Sequence, residues 1–292
     1  MVWRRMTAPD PDSRPVAPRD RFIDAGGLLM HYLDWGGEGP PIVLLHGLRD
    51  QAHEWDAIAP ALVPYGQVVA PDQRGHGGTD RPRTGYDPAD FAGDLEAFCT
   101  ALDLDRPVVI GHSMGARTAY AFAATRPGRL RGLVLVDIGA QGAPETIPAM
   151  VEELRANDGP FSSADDAIRA LIGPELAPST ALRAYVGHNL RQTGDGLLAW
   201  AYNLDAAIET VRRGRGRDWW DVVARIGVPT LLVRGARSDV LGREEAARMI
   251  ETIPDAVLVE IPGAGHLVPQ VRPRELAAAI IGWLPAVLDG VR

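Results

Sequence analysis

The residues best suited to chemistry are Gly111-His112-Ser113-Met114-Gly115. A serine sits between two glycines, after the apolar run Val108-Val109-Ile110 and before the helix-favouring stretch Ala116 to Ala124. Such a short apolar run suits a strand covered on both faces, so the serine falls at a strand-to-helix junction. A sharp turn there draws neighbouring backbones together, and hydrogen side chains at Gly111 and Gly115 avoid collision. Ser113 is thereby pushed toward solvent. A serine hydroxyl is a weak nucleophile at neutral pH and needs a base, ordinarily a histidine oriented by a carboxylate.

Periodicity and turn residues outline the secondary structure around this turn. Phe22-Ile23 and Met30 to Asp34 read as two strands joined at Ala25-Gly26-Gly27, an opening hairpin. Ile42-Val43-Leu44-Leu45, a helix from Trp55 to Val63, and Val68-Val69-Ala70 form a strand–helix–strand unit, which signals a parallel sheet. Helix Asp90 to Leu102, the serine turn and strand Leu133 to Val136 continue the rhythm. From Gly139 to Arg217 apolar residues recur at helical spacing instead, as in Ile147, Met150, Val151 and Leu154. Strands resume at Thr230 to Arg234 and Ala256 to Ile261, separated by a helix from Glu244 to Ile253, and a helix from Pro273 to Leu288 closes the chain.

Composition narrows the function classes. The 292 residues are 46% hydrophobic and carry a formal net charge of −8, which gives no general attraction to nucleic acid or to an anionic membrane. No apolar run reaches the roughly 20 residues of a spanning helix. Residues 1–20 read as a disordered leader without a secretory signal. The single cysteine, Cys99, reads as a packing residue, and one cysteine is compatible with a cytoplasmic location. The basic run Arg212-Arg213-Gly214-Arg215-Gly216-Arg217 reads as a solvated loop. The glycine-rich stretch Asp72 to Asp80 lacks both the P-loop ending and the dinucleotide fingerprint, and reads as a structural loop beside the sheet.

Together these motifs resemble the α/β-hydrolase superfamily from about Arg21 to Leu288. The resemblance implies an α/β fold with a mostly parallel eight-stranded sheet, a core of residues 21–138 and 221–292, and a helical cap of residues 139–220. It makes Gly111 to Gly115 a nucleophile elbow and Ile42 to Leu48 the third strand and oxyanion turn, with the backbone N–H groups of Leu48 and Met114 as oxyanion donors. In the family's order of serine, acid, histidine, His266 is the base; His188, the other histidine well beyond Ser113, falls in the cap. Asp239, after strand Leu231 to Val233, is the favoured acid, and Asp137, at the end of the preceding strand, is the competitor. His46 is expected to hydrogen-bond within its turn. His46, His112, Trp200, Tyr202 and Trp219 are candidate pocket residues, with Trp220 a further cap aromatic.

A serine at the elbow, in place of aspartate, disfavours dehalogenase and epoxide-hydrolase chemistry. The implied function is a serine hydrolase of a carboxylic ester, lactone or thioester, cytoplasmic and without cofactor or metal, acting on a small molecule as a monomer or homodimer. The alternatives are a carbon–carbon bond hydrolase, less favoured because His112 and Leu267 stand where asparagine and tryptophan are typical, and a ligand-binding relative without turnover.

Overall fold

The computed structural model describes residues 17–172 and 180–288; most of the expected leader lies outside them. Among the described residues ten strands are formed: β1 (Arg19–Ala25), β2 (Leu28–Gly36), β3 (Pro41–Leu45), β4 (Gln67–Pro71), β5 (Val108–His112), β6 (Gly132–Val136), β7 (Leu190–Gln192), β8 (Leu198–Trp200), β9 (Thr230–Gly235) and β10 (Ala256–Ile261). Eight of them make one sheet in the order β1-β2-β4-β3-β5-β6-β9-β10. The first two pairings are antiparallel and the rest parallel, so strands β3, β4, β5, β6, β9 and β10 all end on one edge.

The helices are α1 (Ala59–Leu62), α2 (Pro88–Ala101), α3 (Met114–Thr125), α4 (Ile147–Ala156), α5 (Ala164–Ile172), α6 (Thr180–His188), α7 (Leu204–Arg215), α8 (Trp220–Val223), α9 (Arg243–Thr252), α10 (Val268–Val271) and α11 (Pro273–Leu288). The helix expected from Trp55 to Val63 is broken into a 3-10 turn at Ala52–Trp55, the single turn α1 and a second 3-10 turn at Val63–Tyr65. Pro60 and Pro64 lack the N–H groups that would continue a helical ladder. By contrast α2 starts on a capping box, Asp87 accepting from Ala89 N while Asp90 accepts from Asp87 N.

Alternation along the central strands divides the core in two. Val109, Leu133 and Leu135 face α2, α3 and α9, whereas Val108, Ile110, Val134 and Val136 face α1 and α11. Each of these side chains is buried on a covered face, and each contributes roughly 1.5–3 kcal/mol of hydrophobic stabilisation. Cys99 packs in the first half of this core, where burial pushes its thiol up to about 12.

Between β6 and β9 the chain leaves the sheet and builds α4 to α7 with a core of its own around Val151, Leu154, Phe161, Ile168 and Trp200, while Val222 and Val223 of α8 pack back into the sheet core. This insertion is not wholly helical. β7 and β8 form an antiparallel hairpin whose turn holds Gly196 at φ +84°, with Thr193 N–H donating to Leu197 O at 2.8 Å. Three-residue strands are too short to show an alternation in the sequence. The basic run also differs from expectation: it is the last turn of α7 and its exit, and no solvated loop. Arg213 pairs with Glu209 at 2.7 Å, Arg217 lies 3.9 Å over the Trp219 ring, and Arg215 turns toward the sheet edge.

Candidate active site

The turn after β5 is as tight as its glycines require. A Cβ on Gly111 would stand 2.4 Å from the Gly115 carbonyl carbon, and one on Gly115 would stand 2.2 Å from Leu45 O. Ser113 itself adopts φ +51°, ψ −112°, a conformation costly for a residue with a side chain. Its N–H donates to Val136 O at 3.0 Å, which fixes the strained turn to the neighbouring strand.

The strain aims Ser113 Oγ at His266, whose Nε2 lies 3.0 Å away. His266 comes from the loop between β10 and α10 and lies over the carboxyl edge of the sheet. Its Nδ1 donates to Asp137 Oδ2 at 2.9 Å, so Nε2 is the free acceptor for the serine proton. Asp137 follows β6 directly, is fully buried, and also accepts from Gly235 N at 2.8 Å and Ser238 Oγ at 2.5 Å.

The carboxylate favoured from sequence, Asp239, is therefore not the one that meets His266. Ser238 Oγ accepts from the N–H groups of Val240 and Leu241 at 3.1 Å each, and this turn leaves Asp239 exposed. Asp137 carried a signal of its own: an acid closing a fully buried strand must be paired. Burial holds the His266 pKa below its ordinary value, and the His112 charge adds to that, against the opposing pull of Asp137.

Leu48 and Met114 both line the cavity in front of Ser113. Met114 is the first residue of α3, so its N–H has no carbonyl partner within the helix and points out of the helix's positive end. The Leu48 turn is fixed from below by Glu54, whose Oε2 accepts from Gly47 N at 2.8 Å. Glu54 Oε1 faces His112 Nδ1 at 2.5 Å and accepts from Gln270 Nε2 at 2.9 Å. His112 Nε2 in turn donates to His266 O at 3.0 Å. A buried chain thus runs from the turn after β3, through the elbow, to the backbone of the histidine loop. Burial disfavours charge on both partners, but the pair offsets it: the Glu54 pKa is lowered and the His112 pKa raised. Asp50, beside them, is pushed well above the carboxylate range by burial and by the Glu54 charge.

Of the remaining pocket candidates, His112 and Trp200 line the cavity. His46, Tyr202 and Trp219 do not. His46 is fully buried, donates from Nδ1 to Gly47 O at 2.7 Å and accepts from Gln73 N at 2.9 Å. Tyr202 packs in the core of the insertion, and Trp219 donates to Gly214 O at 2.8 Å against Tyr120. His188 meets His53 in a stacked pair at 4.0 Å, away from Ser113. Glu54, Gln270, Tyr185, Arg117 and Arg215 were not visible as site residues in the sequence, because each reaches the site from an element whose position only the fold defines.

A hydroxyl, an imidazole and a carboxylate in one line can pass a proton from oxygen to Nε2 as the oxygen attacks a carbonyl. Residues 40–273 match the family model described as alpha/beta hydrolase fold. The chain belongs to that family. It is 28% identical over 266 residues to the 2-(acetamidomethylene)succinate hydrolase of Mesorhizobium japonicum, covering 91% of this chain and 95% of the relative. It is 30% identical over 273 residues to a non-heme chloroperoxidase of Streptomyces lividans, covering 88% and 96%. The crystal structure of E-2-(acetamidomethylene)succinate hydrolase superposes with a TM-score of 0.84 at 26% identity, covering 94% of this chain and 100% of that one. Among the described residues no helix of this α/β hydrolase is long and apolar enough to cross a membrane.

Proposed function

We propose that this protein is a serine hydrolase of a carboxylic ester, working without a cofactor through an acyl-enzyme on Ser113. The observation that carries the reading is the hydrogen-bonded line Ser113–His266–Asp137 at a cavity of about 200 Å³. His266 accepts the serine proton as Oγ attacks the ester carbonyl, and the Leu48 and Met114 N–H groups stabilise the oxyanion. His266 then gives its proton to the leaving alcohol, and a water activated by the same imidazole releases the acid. Asp137 keeps the imidazole in the Nδ1–H tautomer and stabilises the imidazolium. The insertion roofs the cavity with Met150, Tyr185 and Trp200, which limits water at the acyl carbon.

The test is labelling by a fluorophosphonate together with turnover of short p-nitrophenyl esters. Wild-type protein is expected to be labelled at Ser113 and to hydrolyse the esters, and Ser113→Ala to do neither. A folded wild-type protein that is neither labelled nor active would overturn the reading.

A further inference from the structure

The cavity in front of Ser113 is positively charged although the chain as a whole carries −8. Its ionisable lining consists of Arg49, Asp50, His112, Arg117, Tyr185, Arg215 and His266, with burial keeping the Tyr185 phenol neutral. Arg49 is paired with Glu153 at 3.3 Å, His112 with Glu54, and burial keeps Asp50 toward its neutral acid form. Arg117 and Arg215 remain. Arg117 lies one turn along α3 from the nucleophile, its N–H donating to Ser113 O at 3.0 Å. The side chain runs across to α7, where Gly214 makes room: a Cβ there would stand 2.4 Å from Arg117 Nη1. Arg215, the next residue, lines the same cavity and is close enough to Arg117 for the two charges to repel.

Among the described residues neither guanidinium has a carboxylate within the 4.0 Å of an ion pair. The side-chain partner of Arg117 is the neutral Tyr120 hydroxyl at 3.1 Å. The acids that act on Arg215 do so from further off: Glu245, which is committed to Gln141 N at 2.7 Å, the exposed Asp239, and Glu145. Two half-buried cations whose shared acid, Glu245, stands beyond ion-pair distance repel each other, and a protein tolerates this where an anion is to be received. The planar, multi-donor guanidinium matches a carboxylate in charge and shape.

We propose that Arg117 and Arg215 form a carboxylate-binding subsite in the cavity wall, so that the ester cleaved carries an anionic carboxylate a few bonds from its scissile carbonyl. This rests on the serine-hydrolase reading for the reaction, but the subsite itself can be measured without turnover. The basic run that ends α7 thereby has a use. Its outer arginines hold the helix surface, and Arg215 points inward.

The experiment compares kcat/KM for the p-nitrophenyl monoesters of succinate and glutarate with that for the neutral p-nitrophenyl butyrate. Calorimetric titration of glutarate into Ser113→Ala protein accompanies it. Wild-type protein is expected to favour a monoester by about 10- to 100-fold, the value of one or two charge-assisted hydrogen bonds. In Arg117→Gln and Arg215→Gln that ratio is expected to collapse and glutarate binding to be lost; Arg215→Lys, which keeps the charge, retains part of both. The wild-type ratio needs no variant to fold. A wild-type ratio near one, with no glutarate binding, overturns the proposal. If no ester is cleaved but glutarate still binds through Arg215, the hydrolase reading falls and the subsite stands.

Discussion

His266 Nδ1 lies 2.9 Å from Asp137 Oδ2, and Asp137 is carried at the end of β6, the strand next to the one that leads into Ser113. The contact is buried on the acid's side, and Asp137 has three hydrogen-bond donors, from Gly235, Ser238 and His266. Replacing Asp137 by Asn keeps the shape and removes the charge that orients the imidazole. The expected loss in kcat for p-nitrophenyl ester turnover is about 10³- to 10⁴-fold, with the protein still folded. Asp239→Asn, at an exposed position, is expected to stay within about twofold of wild type, as surface changes away from the reacting groups generally do. The opposite ranking would return the acid to Asp239.

In the proposed mechanism His266 accepts a proton only when neutral. Burial, with the His112 charge behind it, lowers the His266 pKa, while Asp137 raises it. The acid limb of log kcat/KM is therefore expected below the ordinary histidine value of 6.5, with activity full above the limb and lost as pH falls through it. Asp137→Asn removes the raising influence and is expected to move the limb lower still. A limb above 6.5 in wild type would contradict the buried geometry.

Glu54 and His112 are both buried and face each other at 2.5 Å. Removing one member of such a pair strands the other, so Glu54→Ala is expected to destabilise the fold by about 3–5 kcal/mol in urea unfolding. It also frees Gly47 N beneath the Leu48 turn. Activity per folded molecule is expected to fall with stability; Glu54→Gln, which can still accept from Gly47, recovers part of both.

His76 is fully buried, beside His46, and burial followed by that neighbour's charge lowers its pKa to about 3. The folded value lies below the unfolded one of 6.5, so the stabilisation is complete above pH 6.5. It is lost as pH falls, because the unfolded chain takes up the proton first. Between pH 7 and pH 5 the contribution is about 2 kcal/mol. Unfolding free energies at the two pH values are expected to differ less, by about that amount, in His76→Gln than in wild type. His76 bridges to Tyr202, and the next residue's N–H, that of Gly77, donates to Ala201 O at 2.7 Å, so the residue sits at the seam between this loop and the insertion.

The sheet and the nucleophile turn were legible because their signals are local. Val108-Val109-Ile110 is apolar on both faces since both are covered, and Gly111 and Gly115 are dictated by a backbone approach that any Cβ would block. The acid was not, because Asp137 and Asp239 each follow a buried strand and sequence spacing does not tell which carboxylate turns inward. That choice is made by Ser238, whose hydroxyl closes the turn after β9. Arg215 was misread for a related reason. An arginine run has no local sign of which member faces inward, and the helical phase of α7 decides it. The pocket aromatics divided by depth: Trp200 reaches the cavity, while Tyr202 and Trp219 fill the interior behind it.

The hydroxyl of Ser238 donates to the Asp137 carboxylate across two strands. β6 and β9 are hydrogen-bonded neighbours, and their ends supply the two halves of one contact, a charge from one strand and its holder from the other. A carboxylate at residue 238 would meet the Asp137 carboxylate at that contact, where a hydroxyl now donates. The orientation of the imidazole is thus held by the ends of two adjacent strands together, so a displacement of either end would be felt at His266.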